Sequence, residues 1–208
     1  MRRYADATLR NRLPIYDVLA RHLRAGDQVL EIASGSGQHA VFLAPRLGVT
    51  WQPTDTDAEA RASIDAWRTA DPADPAGADT PPASPPACVL PARTLDVCAA
   101  WPVVTVDVLV CVNMIHISPW EATLGLLDGA AKLGPRVVYL YGPYRRGGDH
   151  TAPSNAAFDA WLQQRDPRFG VRDLDTVLAE AATRGYRPAE IVEMPANNLS
   201  VVLGPVEG

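Results

Sequence analysis

Two glycines one residue apart, Gly35 and Gly37, join an apolar strand to an apolar helical run within residues 29–39, which read V-L-E-I-A-S-G-S-G-Q-H. Neither glycine has a Cβ, so the backbone can turn tightly there and approach a ligand closely. The free N–H groups and the positive dipole end of the following helix point toward the same turn. Residues 29–39 therefore predict a site for a nucleotide-like ligand at the carboxyl end of a parallel strand.

Three acidic residues, each at the end of a strand candidate, favour S-adenosylmethionine as that ligand. The Glu31 carboxylate suits the cationic amino-acid end of this cofactor and would repel a dinucleotide's diphosphate. Asp55, about twenty residues after the glycines, can accept hydrogen bonds from ribose hydroxyls, with Asp57 as the alternative. Asp96 can accept from the adenine amino group. We expect S-adenosyl-L-methionine, and its product S-adenosyl-L-homocysteine, to contact Glu31, Ser34, Gly35, Gly37, Asp55, Thr56, Asp96, Val97 and Asn113.

Polar side chains follow the next two strand candidates and could bind the molecule that receives the methyl group. Methyl transfer is an in-line displacement that needs alignment and, for some acceptors, removal of a proton. Since the ordinary pKa of histidine lies near neutrality, His116 is the candidate base; the alternative is a histidine whose nitrogens are satisfied by the backbone. The predicted catalytic residues are His116, Asn113, Tyr141 and Tyr144, and the predicted substrate-binding residues are Asn11, Arg12, Tyr144, Asn197 and Asn198.

Hydrophobic periodicity predicts the elements that hold these residues. Strands are expected near 29–33, 49–54, 106–113, 137–141, 189–194 and 198–203, with a further one before Asp96. Helices are expected at 14–23, 58–69, 121–132, 154–164 and 174–184. The predicted fold is α/β and Rossmann-like, that of a class I methyltransferase, with a seven-stranded, mostly parallel sheet, a terminal antiparallel strand and helices on both faces.

Composition predicts one domain over residues 1–208, interrupted by a Pro-rich surface loop at 71–91. The net charge of -5 argues against non-specific binding to nucleic acid or to an anionic membrane, so a small molecule is the expected partner. No apolar run reaches transmembrane length and the first residues lack a signal-peptide core, which predicts a cytoplasmic protein. The three cysteines lack metal-ligand spacing and are expected to be buried thiols; no metal is expected.

Several segments together resemble the domain of unknown function 938 family of class I methyltransferases, the family of methyltransferase-like protein 26. The resemblance implies the Rossmann-like fold and S-adenosylmethionine, but not the acceptor. Leu13, where the family usually carries an acid, and the 71–91 loop depart from the pattern. The matching segments are 10–12 with 14–15, 30–40, 51–53 with Asp55, 113–120, 139–144, 150–155, 158–159 and 194–199.

Two other functions remain open from the sequence. Gly35, Gly37 and Ala40 also fit a dinucleotide pattern, typical of an NAD-dependent oxidoreductase, although Glu31 weighs against it. The chain could also be a non-catalytic S-adenosylmethionine-binding protein. A nucleic-acid methyltransferase is less favoured, because there is no basic stripe and no Asn-Pro-Pro-Tyr motif.

Overall fold

The computed structural model of the chain describes residues 1–69, 88–102 and 104–206. In those residues six α-helices lie at Asp6–His22 (α1), Gln38–Leu47 (α2), Ala58–Arg68 (α3), Trp120–Leu133 (α4), Pro153–Arg165 (α5) and Leu174–Thr183 (α6). Eight β-strands lie at Gln28–Ile32 (β1), Thr50–Pro53 (β2), Val108–Val112 (β3), Val137–Pro143 (β4), Arg145–Arg146 (β5), Asp149–His150 (β6), Tyr186–Met194 (β7) and Asn198–Pro205 (β8).

Six strands form one sheet in the order β2-β1-β3-β4-β8-β7, and β5 and β6 form a separate antiparallel pair. β1 and β2 run parallel, with Gln28 opposite Thr50, whereas β8 runs antiparallel to both β4 and β7. Every residue of β4 and almost every residue of β3 is buried, as in strands covered on both faces. The mostly parallel sheet with antiparallel terminal strands confirms the predicted α/β, Rossmann-like fold class.

The predicted number of strands is wrong: in the described residues the sheet has six strands, not seven. The segment expected as a further strand makes only isolated bridges to its neighbours, Val89 beside Trp51 and Arg93 beside Thr54. Pro91 lies between the two bridges and has no N–H to donate to a strand ladder. The segment therefore runs alongside β2 without forming a strand.

The chain divides into two compact units, one of Met1–Asp96 with Thr105–Val108 and the other of Val97–Val104 with Leu109–Gly208. In the first unit α1 packs against α2 and α2 packs against α3. α1 starts at Asp6, earlier than expected from the sequence, and Pro14 lies inside it. Its buried residues recur every three or four positions, as on one helix face, and are Thr8, Asn11, Ile15, Val18 and Leu19.

In the second unit, Trp101 fixes the segment before β3 to α4. A Cβ on Gly129 of α4 would lie 2.1 Å from the Trp101 ring, so only glycine fits there. The Trp101 indole N–H donates to the Val97 carbonyl at 3.0 Å, and the Lys132 ammonium donates to the Trp101 carbonyl at 2.8 Å. α4 packs against α6, which Asp173 caps by accepting two backbone N–H groups, and α6 packs against β7.

Most of the predicted Pro-rich loop, residues 71–87, lies outside the described residues. Among the helices of the described part of the chain, none is long and apolar enough to cross a membrane. The expectation of buried thiols holds for Cys111 alone, since Cys98 is exposed and Cys88 is half-buried.

Candidate active site

The turn after β1 has a backbone that side chains seldom allow. Ala33, Gly35 and Gly37 all have positive φ angles, of 54°, 57° and 88°. A Cβ on Gly37 would lie 2.7 Å from the Ile64 Cα of α3, whereas a Cβ on Gly35 would meet nothing within 4 Å. Gly37 is thus required for packing between helices, and Gly35 leaves open space at the turn.

Asp55 follows β2 and stabilises this turn by accepting backbone hydrogen bonds. One carboxylate oxygen accepts the Gly35 N–H and the other accepts the Asp57 N–H, both at 2.9 Å. The residue is buried, but each oxygen keeps acceptor capacity for a further hydrogen bond. Asp57, the alternative ribose ligand, caps α3 and forms an ion pair with Arg3 at 2.9 Å. Of the two acids, Asp55 is therefore the one held at the glycine turn.

Glu31 is buried, with 1% of its surface exposed, at the end of β1. Its carboxylate accepts the Trp51 indole N–H at 2.9 Å. Burial raises the pKa of Glu31 to about 7, against hydrogen bonds from the Ser34 and Trp51 side chains, and the Asp55 charge adds to the rise. Glu31 therefore gains or loses its proton near neutral pH, and a bound cationic group would favour the ionised carboxylate.

The other residues predicted for the cofactor differ in exposure. Ser34 is buried, and its side-chain oxygen accepts the Thr54 N–H at 3.2 Å. Thr56 and Asp96 are exposed, and Val97 is buried. The exposed pair thus has side chains accessible from solvent.

The predicted substrate-binding residues Asn11 and Arg12 pack on α2. The Asn11 side-chain oxygen lies 2.9 Å from His39 Nε2, and both residues are buried. Burial, with a smaller contribution from Arg12, lowers the pKa of His39 to about 4. The Arg12 guanidinium lies over the Phe42 ring, 4.6 Å from its centre. These contacts give both residues a packing role within the first unit.

In the second unit, His116 lies in a short 3₁₀ turn, Met114–His116, that follows β3. Asn113 starts this turn with a φ of 64°, and its N–H donates to the Tyr141 carbonyl at 2.7 Å. A Cβ on Gly142 would lie 2.4 Å from His116 Nε2. The glycine in β4 therefore makes room for the imidazole ring, which is fully buried.

The segment at 170–172 fixes the His116 ring and its protonation. The Arg172 N–H donates to His116 Nδ1 at 3.2 Å, so the proton of the neutral ring lies on Nε2. Burial and then the Arg172 charge lower the pKa of His116 to about 3, against a smaller effect of the Gly170 backbone. His116 is thus neutral at physiological pH and offers Nε2–H as a donor.

Two side-chain atoms near this turn are buried without a hydrogen-bond partner in the described residues, His116 Nε2 and the Tyr144 hydroxyl. The two rings meet edge to face with their centres 4.9 Å apart. Burial raises the pKa of Tyr144 well above its ordinary value. Because buried polar atoms normally have partners, this pair marks a place where a ligand's polar group could bind. Tyr141 is also buried, on β4.

The predicted substrate residues Asn197 and Asn198 lie between β7 and β8. The Asn197 backbone carbonyl accepts from the Asn155 side chain at 2.9 Å, and the Asn197 side-chain amide donates to the Ser154 hydroxyl at 3.1 Å. These two hydrogen bonds tie Asn197 to the start of α5. The Asn198 amide donates to the Pro195 carbonyl at 3.1 Å. Turn chemistry accounts for these contacts.

Sequence reasoning missed Trp51, Gly142 and Arg172 as parts of these sites. A glycine inside a run of aromatic strand residues is a signal of close approach, and could have identified Gly142. Trp51 and Arg172 gave no such signal, because their contacts join residues far apart in the chain: the Arg172 guanidinium donates to the backbone carbonyls of Ile115 and Ser118.

The fold matches those of methyltransferases of known structure. The S-adenosylmethionine-dependent methyltransferase SibL superimposes with a TM-score of 0.72 at 17% identity, over 97% of this chain and 56% of SibL. A chain of the complex between the Haloferax volcanii methyltransferase activator Trm112 and its candidate methyltransferase gives 0.70 at 14% identity, over 96% of this chain and 91% of that chain.

CalO1, a methyltransferase in calicheamicin biosynthesis solved with S-adenosylhomocysteine bound, gives a TM-score of 0.66 at 17% identity, over 93% of this chain and 54% of its own. This chain thus spans little more than half the length of SibL and CalO1. At these identities the likeness shows the fold.

Sequence comparison goes further than the fold. A family model described as "Protein of unknown function (DUF938)" matches residues 2–204. The match covers nearly the whole chain, including the glycine turn and the His116 turn. The chain therefore belongs to the DUF938 family.

Proposed function

We propose that this chain is an S-adenosylmethionine-dependent methyltransferase that acts on a small-molecule acceptor. The observation that carries the proposal is the Asp55 carboxylate, buried at the end of β2 and held by the N–H groups of Gly35 and Asp57. When bound, S-adenosylmethionine supplies a methyl group on a positively charged sulfur. The methyltransferase fold of the structural neighbours supports the same cofactor.

The residues of the glycine turn fit this cofactor. Asp55 retains an acceptor site on each oxygen for the two ribose hydroxyls, and Gly35 leaves the turn open on one side. Glu31 can hold a cationic amino group, directly or through water. We propose that the cofactor is bound by Glu31, Ser34, Gly35, Gly37, Asp55, Thr56, Asp96, Val97 and Asn113.

For the acceptor we propose contacts from Asn113, His116, Tyr141 and Tyr144, with Asn11, Arg12, Asn197 and Asn198 as further binding residues. Within this set the orientation of His116 favours one role. Its Nε2–H can donate to an acceptor's oxygen or nitrogen and align it. Proton removal by His116 stays a prediction, and the proton on Nε2 together with a pKa of about 3 weighs against it.

The remaining parts of the proposal follow from the sequence. The net charge of -5 supports a small molecule as the partner instead of a nucleic acid or a membrane surface. We also propose a cytoplasmic location and a relation to the methyltransferase-like protein 26 type within the family.

Calorimetry with S-adenosylhomocysteine tests cofactor binding. The wild-type chain should bind it and should not bind NADH. Asp55→Ala should weaken binding at least tenfold, about 1.4 kcal/mol, because two ribose hydroxyls lose their acceptor. Asp57→Ala is the matched control and should change the affinity by less than about threefold. Equal losses in both variants, or wild-type affinity in Asp55→Ala, would contradict the assignment of the ribose to Asp55.

Transfer itself is tested with S-adenosylmethionine carrying a radioactive methyl group. The chain is incubated with a panel of small phenols, carboxylates, thiols and amines, and label is counted in the extracted products. Labelled product with at least one acceptor class supports an enzyme. Tight S-adenosylhomocysteine binding without any labelled product would favour a non-catalytic binding protein.

A further inference from the structure

His150 and Asp159 form a pair of side chains in the second unit that the proposed function does not use. His150 Nε2 lies 3.2 Å from one oxygen of the Asp159 carboxylate. The other oxygen accepts the Val171 N–H at 2.7 Å, and a Cβ on Gly170 would lie 2.9 Å from it. Asp159 is therefore held by the backbone and can hold His150 in turn.

The pair favours one position for the proton of His150. An ionised carboxylate only accepts hydrogen bonds, so the charge and position of Asp159 favour a hydrogen on the nitrogen that faces it, Nε2. In the neutral ring this leaves a lone pair on Nδ1. His150 Nδ1 is buried and has no hydrogen-bond partner in the described residues, although 26% of the side chain is exposed. The neutral ring therefore has one enclosed acceptor nitrogen that no hydrogen bond of the described residues uses.

This acceptor is linked to the same residues as the proposed acceptor site. β6 pairs with β5, with His150 opposite Arg145, and the adjacent Thr151 hydroxyl donates to the Tyr144 carbonyl at 3.3 Å. On the other side, the Gly170 N–H donates to the His116 carbonyl at 2.9 Å, and Gly170 contacts Asp159. The His150–Asp159 pair is thus joined, through hydrogen bonds to backbone carbonyls, to the segments that carry Tyr144 and His116.

His116, Tyr144 and His150 differ in what their polar atoms can do. His116 Nε2 carries a hydrogen and can only donate, the Tyr144 hydroxyl can donate or accept, and His150 Nδ1 in the neutral ring can only accept. A general base must have a free lone pair, and an oriented imidazole supported by a carboxylate is a recurrent arrangement for one. Two buried histidine nitrogens lack a partner among the described residues, and of these two His150 Nδ1 meets the requirement.

We propose that His150, oriented by Asp159, accepts the proton from the nucleophile of the methyl acceptor; the proposal rests on the proposed function. The bond between the acceptor's nucleophilic atom and its hydrogen breaks, the proton passes to Nδ1, and the electron pair stays on the acceptor. The resulting imidazolium is stabilised by the adjacent carboxylate. The acceptor is then a molecule with a protonated nucleophile, a hydroxyl, thiol or N–H, beside a group that can accept from His116 Nε2–H. His150 is the catalytic residue and Asp159 the positioning residue.

The first test needs no acceptor. Full-length protein labelled with ¹⁵N-histidine is studied by long-range ¹H–¹⁵N NMR, with each of the four histidines assigned through its glutamine variant. We expect neutral His150 to carry its proton on Nε2. In Asp159→Asn, the single amide oxygen stays with the Val171 N–H and the NH₂ group faces Nε2, so the proton should move to Nδ1. A wild-type His150 with its proton on Nδ1 would overturn the proposal.

The second test measures turnover with an acceptor identified in the radiolabel panel. His150→Gln should lower kcat roughly a hundredfold, while S-adenosylhomocysteine affinity stays unchanged. Thiophenol at pH 9, which ionises without help, should be methylated at similar rates by both proteins. His22→Gln, at a histidine outside these segments, is the matched control and should be as active as the wild type.

A kcat for His150→Gln within about threefold of the wild type would overturn the proposal. Absence of S-adenosylhomocysteine binding by the wild-type chain is a different outcome: it defeats the proposed function. In that case the NMR result still decides whether His150 Nδ1 is available to take a proton.

Discussion

At the scale of single residues, burial sets the charge of the groups at both sites. Glu31 and His116 are both enclosed, and in each case burial is the largest cause of the shift, favouring the neutral form. The sequence predicted both residues from their positions at strand ends. It could not predict their protonation, because that depends first on how completely each side chain is enclosed. It depends also on the Trp51 indole and the Arg172 backbone, which approach from distant parts of the chain.

The raised pKa of Glu31 makes stability depend on pH in a defined direction. Between the ordinary value of 4.5 and the folded value of about 7, the folded chain holds a proton that the unfolded chain has lost. Stability should therefore fall as pH rises through this window, by about 3 kcal/mol, and level off above it. Glu31→Gln removes the titrating group, so its free energy of unfolding should lack this fall.

Urea unfolding at pH 5 and pH 8 measures the effect. From pH 5 to pH 8, the unfolding free energy of the wild type should fall by about 3 kcal/mol relative to that of Glu31→Gln. A difference that is the same at both pH values would contradict a shifted pKa for Glu31.

At the scale of elements, apolar runs were enough to predict most strands and helices. β3 and β4 are continuous apolar segments, and α4 lies within one residue of its predicted bounds at each end. Two of the errors involve prolines: Pro14 was taken as the start of α1 but lies inside it, and Pro91 interrupts the expected further strand. The short β5–β6 pair was not predicted. The His150–Asp159 pair could not be predicted, because a turn and part of α5 separate the two residues.

The glycine turn between β1 and α2 offers a matched pair of substitutions. Gly35→Ala adds a side chain in open space, so its cost should be confined to the strained backbone, about 1–2 kcal/mol. Gly37→Ala has the same backbone cost and also overlaps Ile64, which should add about 1–3 kcal/mol. Denaturant unfolding of both variants checks this order.

Cofactor affinity should single out the other variant: Gly35→Ala, the more stable of the two, is the one expected to bind weakly. If the open side of Gly35 faces the cofactor, Gly35→Ala should fold yet bind S-adenosylhomocysteine at least tenfold more weakly, about 1.4 kcal/mol. Wild-type affinity in a folded Gly35→Ala protein would show that the open space serves no ligand.

At the scale of the whole molecule, the chain forms two compact units, and the predicted single domain stays a prediction. As a predicted surface loop, the 71–91 segment should be dispensable for folding, but the structure separates its first part from its last four residues. Residues 71–87 carry few large apolar side chains, whereas Val89 is 4% exposed and the Leu90 N–H donates to the Trp51 carbonyl at 2.8 Å.

Replacing 71–87 with a short Gly-Ser linker should therefore leave Tm within a few degrees, because closure entropy changes slowly with loop length. Replacing 71–91 should lower Tm further, since it removes a buried valine worth roughly 2 kcal/mol and a backbone hydrogen bond. Calorimetric scans of both variants measure this, and equal melting temperatures would show that residues 88–91 contribute nothing to folding.

The His116 ring fills the space that a side chain at position 142 would need, which limits the substitutions that the chain can accept during evolution. A Cβ at position 142 would lie 2.4 Å from the imidazole, so a larger residue at 142 is tolerated only if position 116 carries a smaller one. Either change alone leaves a clash or a void. A lineage that gave up the histidine would release position 142 from this constraint. A glycine at position 142 is therefore compatible with a buried histidine at position 116, and a larger residue there is not.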